Sequence, residues 1–394
     1  MSGETTALKR LRNGVVTTAI IWLASSILAL ALILACYVFT WIRSPAAARS
    51  DQGLYSSAAR TSAMLSLPPS EARQCFKTFD AFMNDRQYRY RPWVGAVDRP
   101  YRSSCLNVDD GDPVPIRRTV EASPKRAGQK TIWLFGGSTQ FGWGVPDSKT
   151  IASYLSAILS GAGATYSVVN YGHTGLYSSQ EAAIFTALLR HGQRSDVAVF
   201  LDGVNDLHTA PQDFPLLTYR IEAGFLNAED AAALASSRQI IITPSFPPVR
   251  VLNRLLGRRV SAANTEQESF GHTDYDPLSI YQFNVSSIEQ LADSANIKIA
   301  FFWQPTPLDF LAGAEERRKV IAKALASPQF ERAPYFNVAV RQIVKSKSFH
   351  FIADIFKDER FESMYVDSIH YGDEGSRRVA LAIATGLKSA GLLN

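Results

Sequence analysis

Ser138 lies in Phe135-Gly136-Gly137-Ser138-Thr139, directly after the apolar run Thr131-Ile132-Trp133-Leu134. Far downstream, Asp367-Ser368-Ile369-His370 sets an acid and a base three residues apart. Between them come Asn170-Tyr171-Gly172-His173-Thr174-Gly175 and Gly203-Val204-Asn205-Asp206, each after its own strand-like run. A serine hydroxyl is a weak nucleophile and needs a neighbouring base to take its proton. His370 has the chemistry for that step and for protonating a leaving group afterwards. Asp367 can bond the far imidazole nitrogen, which fixes the tautomer and stabilises the imidazolium. A tetrahedral oxyanion also needs donors in place. The Ser138 N–H, the Gly175 N–H and the Asn205 side-chain amide would supply them. Singly, these features have plainer explanations: Gly-Gly-Ser as a tight turn, Asn-Asp as a cap or turn. As an ordered set they point to acyl transfer through a covalent serine ester.

Such a set works only if the chain brings it together. From Thr131 onward, short apolar runs alternate with longer amphipathic ones. Strands are expected at 131–136, 166–171, 196–202, 297–304 and 349–355. Helices are expected at 149–160, 178–191, 277–294, 314–326, 333–346 and 373–390, the second opened by Ser178-Ser179-Gln180-Glu181 at capping-box spacing. Continuously apolar strands such as Val197-Ala198-Val199-Phe200-Leu201 imply a parallel sheet buried on both faces, and the alternation implies an α/β sandwich of βαβ units. Ligands of such sheets gather at the carboxyl ends of the strands. Ser138, Gly175 and Asn205 each follow a strand, and His370 precedes the last helix, so one edge of the sheet collects all four. His173, Gly203 and Asp206 fall at the same edge, where they could contact substrate, Asp206 also as a brace for the turn. Gly172 is a second candidate for the oxyanion glycine, though spacing from Asn170 favours Gly175.

Residues 207–275 interrupt the rhythm with Pro211, Pro215, Pro244, Pro247 and Pro248 and read as an insertion that caps or shapes the site. Before the first strand, 43–70 reads as a linker and 71–128 as an extension of extended segments packed on the catalytic domain, 129–394. His191, His208, His272 and His350 are assigned no role. No pair has a ligand spacing such as His-x-x-x-His, so neither metal nor cofactor is expected.

The chain has 394 residues, 46% hydrophobic and 20% charged, enough for a sizeable core. Its net charge of +5 arises largely near the N-terminus, where Lys9, Arg10, Arg12 and Arg43 stand against Glu4. The remainder is nearly balanced, which gives no electrostatic case for nucleic acid. Residues 15–42 carry no charge. Spanning a bilayer takes about 20 such residues as a helix, and signal-peptide cores run only about 7–15, so an uncleaved transmembrane helix is expected. The basic flank 1–14 orients it with a cytoplasmic N-terminus and the rest outside. Cys36 lies in that span. Cys75 and Cys105 are left to form one disulfide or to remain buried thiols.

With these blocks in order, the chain resembles the SGNH/GDSL hydrolase family over about residues 130–394. The matching stretches are Phe135–Ser138, Asn170–Gly175, Gly203–Asp206 and Asp367–His370. The looser likeness of the tyrosine- and tryptophan-rich stretch from Tyr88 and of Leu106-Asn107-Val108-Asp109 is to membrane-anchored bacterial members. The resemblance implies a flavodoxin-like three-layer α/β/α fold, Ser138 as nucleophile, His370 as base, Asp367 as its acid, and Gly175 and Asn205 in the oxyanion hole. One departure stands out: the family's Gly-Asp-Ser is Gly-Gly-Ser here. The implied activity is an extracytoplasmic esterase of the plasma membrane that removes an acyl group, often acetyl, from an envelope carbohydrate or lipid. Two alternatives keep the same blocks, an O-acyltransferase acting on an envelope polysaccharide and a non-catalytic envelope scaffold.

Overall fold

The computed structural model describes residues 65–84, 88–91, 93–122, 128–161, 166–203, 205–206, 277–306, 339–342, 344–359, 361–367 and 369–393, with short stretches at 16–17, 21–29 and 31–32. The chain forms two compact units, residues 1–53 with 228–272 and residues 54–227 with 273–394. In the first, the described stretches are helical with exposed side chains. Much of the apolar span 15–42 lies outside the described residues. Among those described, no helix is long and apolar enough to cross a membrane. The insertion 207–275 and the expected helix 314–326 also lie outside them, as does half of 333–346, of which 339–342 is helical.

The second unit runs α1 (Pro69–Asn84), β1 (Tyr88–Arg91), β2 (Gly95–Asp98), β3 (Val108–Asp109), β4 (Ile116–Arg117), β5 (Lys130–Gly136), α2 (Ser138–Phe141), α3 (Ile151–Gly161), β6 (Tyr166–Asn170), α4 (Ser178–Arg190) and β7 (Val197–Asp202). It continues with α5 (Pro277–Ala295), β8 (Lys298–Trp303), β9 (Phe349–Phe351), α6 (Phe361–Met364) and α7 (Asp373–Ser389). A seven-stranded sheet has the order β3-β4-β6-β5-β7-β8-β9. Its last five strands are parallel, in register Leu134↔Asn170, Phe135↔Phe200, Phe200↔Phe301 and Phe301↔Phe349. In chain order these five stand 2-1-3-4-5, the flavodoxin-like arrangement.

Side-chain alternation along the strands divides the core in two. Trp133, Phe135, Ala198, Phe200, Phe301 and Trp303 face α4 and α5. Ile132, Leu134, Val197, Val199, Ala300 and Phe302 face α3 and α7. Every residue of β7 is buried, as a central strand covered on both faces requires. On the first face, Phe135 stacks on Phe200 at 4.6 Å and Phe200 on Phe301 at 5.1 Å, so neighbouring strands are locked by aromatic pairs.

The extension holds the extended segments expected of it, β1 to β4, but also a helix that was not. Residues 69–84 form α1, which places Pro69 in the first turn and Ala72, Cys75 and Phe79 on one buried stripe. The strands β3 and β4 join the main sheet, antiparallel to each other and to β6 through Arg117↔Asn170. Cys75 and Cys105 form a disulfide with Cα atoms 5.4 Å apart, within the cluster that also holds Phe141 and Val366. Fully buried Arg117 pairs with Asp147 and donates to the carbonyls of Asn107, Phe141 and Val145. Burial, only partly opposed by Asp98 and Asp109, pulls its guanidinium down to about 9. The β9 segment ends at Phe351, short of the expected 355, because 352–359 closes on itself through bonds such as Lys357 N–H to Asp354 O.

Candidate active site

In a 2-1-3-4-5 sheet the crevice opens where the strand order reverses, between the carboxyl ends of β5 and β7. Ser138 follows β5 and Asn205 follows β7. The turn out of β5 is sharp: Gly136 has φ +155, and a Cβ there would lie 2.5 Å from Gln140 Cβ and 2.9 Å from Leu201 O. Gly137 then caps α2, and Ser138 is its first residue. The acid and base come from the loop between α6 and α7, which is closed by the Tyr365↔Tyr371 bridge and by the Val366 N–H donating to His370 O at 2.8 Å.

Three side chains meet in a relay. Ser138 Oγ lies 2.8 Å from His370 Nε2, and His370 Nδ1 lies 2.7 Å from Asp367 Oδ2. The other Asp367 oxygen accepts the backbone N–H groups of Ile369 at 2.8 Å and His370 at 2.7 Å. Burial works against ionisation of Asp367, but the His370 ring and those N–H donors outweigh it and hold the carboxyl below its ordinary range. The Trp143 ring stands 5.9 Å from the imidazole and walls it on one side. Ser138 therefore has a base in hydrogen-bond reach, and the base has a carboxylate on its far nitrogen.

The Asn205 amide lies beside the residue that precedes Ser138. It is seated against Gly137, where a Cβ would lie 2.1 Å from Nδ2. A Cβ at 137 would therefore displace that amide from its present place. Asn205 Nδ2 donates to Leu176 O at 2.5 Å with one of the two hydrogens an amide nitrogen carries. Gly175 has φ +79, is exposed, and would meet nothing within 4 Å of an added Cβ. Neither the Ser138 N–H nor the Gly175 N–H has an acceptor among the described residues. Gly172 is different: its N–H is taken by Asn170 Oδ1 at 2.9 Å, and a Cβ there would lie 2.6 Å from Phe141 N. It serves close packing beneath α2.

This arrangement can do acyl-transfer chemistry. No family model matches the sequence, and no curated protein matches it. Solved structures similar to the chain include the psychrotrophic esterase EstA from Pseudoalteromonas sp., at 12% identity over 66% of this chain and 97% of the other, TM-score 0.38. The acetyl xylan esterase AlAXEase is similar at 13% identity over 66% and 98%, TM-score 0.35. A GDSL-like lipase from Bacteroides thetaiotaomicron is similar at 13% identity over 68% and 92%, TM-score 0.34. Such distant likenesses leave the chemistry to be judged on the geometry of the site.

The remaining residues at the edge serve the frame. His173 is fully buried, with Nδ1 3.3 Å from both the N–H and a carboxylate oxygen of Asp98, so it offers substrate no surface. Asp206 is buried too and accepts the Ser178 N–H at 3.1 Å and hydroxyl at 2.5 Å. It thus ties the first turn of α4 to the end of β7. The capping box at Ser178 does not form: the helix is capped at Tyr177, one residue early, and Glu181 is buried beside Asp202. Gly203, at φ +144, lies where a Cβ would be 2.9 Å from Gln304 Cγ. Gln304 in turn accepts the Thr139 hydroxyl at 2.6 Å.

Behind Asn205, burial raises Asp202 to about 7 and Asp206 to about 6, and raises Glu181 as well. Tyr281 donates to Asp202 at 3.0 Å. Among the described residues no group of three or more His, Cys, Asp or Glu is arranged to hold a metal ion. His191 is exposed and near Asp112, and half-buried His350 stacks on Phe302 at 4.8 Å. His208 and His272 lie outside the described residues.

Proposed function

We propose that this chain is a serine esterase held in a bacterial plasma membrane by residues 15–42, with its catalytic unit on the extracytoplasmic side. The observation that carries the chemistry is the unbroken relay of 2.8 Å and 2.7 Å from Ser138 through His370 to Asp367. His370 Nε2 takes the Ser138 proton as Oγ attacks the ester carbonyl. The oxyanion is met by the Ser138 N–H, the Gly175 N–H and the Asn205 amide. As the carbon–oxygen bond breaks, His370 returns the proton to the leaving alcohol. A water, deprotonated by the same imidazole, then releases the acid and regenerates Ser138.

The Cys75–Cys105 disulfide supports the extracytoplasmic side, since such bonds persist in oxidising compartments. The uncharged run 15–42 supports the anchor. We assign the substrate as an acylated, in particular acetylated, carbohydrate or lipid of the cell envelope.

The test is hydrolysis of p-nitrophenyl acetate by the full chain in detergent. Wild type releases p-nitrophenol, and Ser138→Ala falls to the rate of buffer. Equal rates for the two proteins would sink the proposal. Retention in the membrane fraction after alkaline carbonate washing tests the anchor, and release into the supernatant removes it.

A further inference from the structure

Asp98 ends β2 in the N-terminal extension, far in sequence from every residue assigned a role above. It is 2% exposed. Its carboxylate is directed at the loop that carries Gly175. Oδ2 accepts the Thr174 N–H at 2.7 Å, and Oδ1 accepts the Thr174 hydroxyl at 2.7 Å. Oδ2 also lies 3.3 Å from His173 Nδ1. The Tyr88 hydroxyl, opposite Asp98 in the β1–β2 pair, sits 3.4 Å from Thr174 Oγ1. On its inner side the loop is tied to β5 by the His173 N–H, which donates to Gly136 O at 3.1 Å.

These contacts matter because, among the described residues, an added Cβ at Gly175 would meet nothing within 4 Å. Its N–H belongs to the planar peptide unit shared with Thr174. With the Thr174 N–H and side chain both held, one soft dihedral, ψ of Thr174, separates the Asp98 contacts from the direction of the Gly175 N–H. A carboxylate suits this position because it only accepts, and Thr174 presents two donors to it. The hairpin does not need this contact to stay docked. Val94 and Val97 are buried in the main core, and Gln180 Nε2 donates to Val94 O at 3.1 Å.

We propose that Asp98 is a positioning residue of the oxyanion hole, fixing Thr174 so that the Gly175 N–H points at the developing negative charge. The inference rests on the esterase reading above. It makes the extension part of the catalytic machinery rather than a covering for it.

The test compares p-nitrophenyl acetate with its thionoacetate, in which sulfur replaces the carbonyl oxygen. Sulfur is a weak acceptor, so a well-aimed oxyanion hole favours the oxygen ester, and a disturbed hole loses that preference. In the full chain, Asp98→Ala lowers kcat on the oxygen ester by about 10–10²-fold, the size expected for a misplacement of up to 1 Å, with KM little changed. The oxygen-to-sulfur rate ratio falls with it. Asp98→Asn, which keeps one acceptor, lies between. Should Asp98→Ala fail to fold, Thr174→Val lowers the ratio and Thr174→Ser, which keeps the hydroxyl, recovers it. An equal fall on both esters, or no fall on either, overturns the positioning role and leaves the esterase reading standing. A wild type inactive on both esters overturns the two together.

Discussion

Replacing Gly137 by alanine tests the oxyanion side of the site without touching the triad. The backbone there, φ −79 and ψ −153, is one that alanine adopts, so the effect is steric alone. The new Cβ would stand 2.1 Å from Asn205 Nδ2 and 2.8 Å from Leu176 O, whereas ordinary contact begins at 3.4 Å. The amide must therefore retreat by about 1.3 Å, more than the misplacement of about 1 Å that can cost 10²-fold in rate. Loss of one oxyanion donor costs about 10²–10³ in turnover, or about 2.7–4 kcal/mol of transition-state stabilisation. Gly137→Ala should thus lower kcat on p-nitrophenyl acetate by about 10²-fold with KM nearly unchanged, because the lost contact forms only with the oxyanion.

Asn205→Ala should give a loss of the same size. Since both changes remove one donor, the double variant should match Asn205→Ala to within about threefold rather than multiply the losses. A Gly137→Ala protein with wild-type kcat, or a fully multiplicative double variant, would refute the placement of the amide at the nucleophile.

Three further outcomes follow from the frame. Asp202 and Asp206 have folded-state values of about 7 and 6, above the ordinary carboxyl range, so the folded protein holds protons that the unfolded chain releases. Stability from these groups is complete below about pH 4 and is lost as pH rises through 6 and 7, so the melting temperature should fall over about pH 4–7. Asp202→Asn should flatten that slope, and an unchanged slope would remove the assignment. Reducing the Cys75–Cys105 bond, which spans 30 residues, should lower unfolding free energy by about 3–4 kcal/mol in urea titrations. Arg117→Ala strands Asp147 in the interior and should cost about 3–5 kcal/mol, whereas an unshifted urea midpoint would show that the pair is dispensable.

The strands were legible because the central parallel strands β5, β7 and β8 are continuous apolar runs, and β5, β6, β7 and β8 lie within two residues of where periodicity sets them. The set Ser138, Asn205, Asp367 and His370 was legible for a different reason: in such a sheet, whatever follows the strands shares one edge. What could not be read is whatever depends on contacts across the sequence. The spacing of Ser178 and Glu181 fits a capping box, yet Asp206, brought alongside by β7, takes the Ser178 N–H, and the helix begins one residue earlier. Likewise nothing local distinguishes His173, a buried partner of Asp98, from a histidine facing the crevice. Helix α1 escapes a reading of the sequence although Ala72, Cys75 and Phe79 carry its period, because polar and charged residues surround so narrow an apolar stripe.

Within the segment from His173 to Ser178, the Leu176 N–H reaches His173 O at a long 3.4 Å. Several stronger contacts hold the segment from outside. Asp98 holds Thr174 on one side of Gly175, and Asp206 holds Ser178 on the other. Between them, Asn205 fixes the Leu176 carbonyl with the same amide that is seated against Gly137. Two buried carboxylates and one amide, drawn from the extension and from the end of β7, thus clamp this loop. Donors fixed before the reaction stabilise a developing charge without reorganising, and that advantage is lost in proportion to their freedom to move. A nucleophile and base brought together without these clamps would keep their mutual geometry and forfeit the larger electrostatic part of the rate.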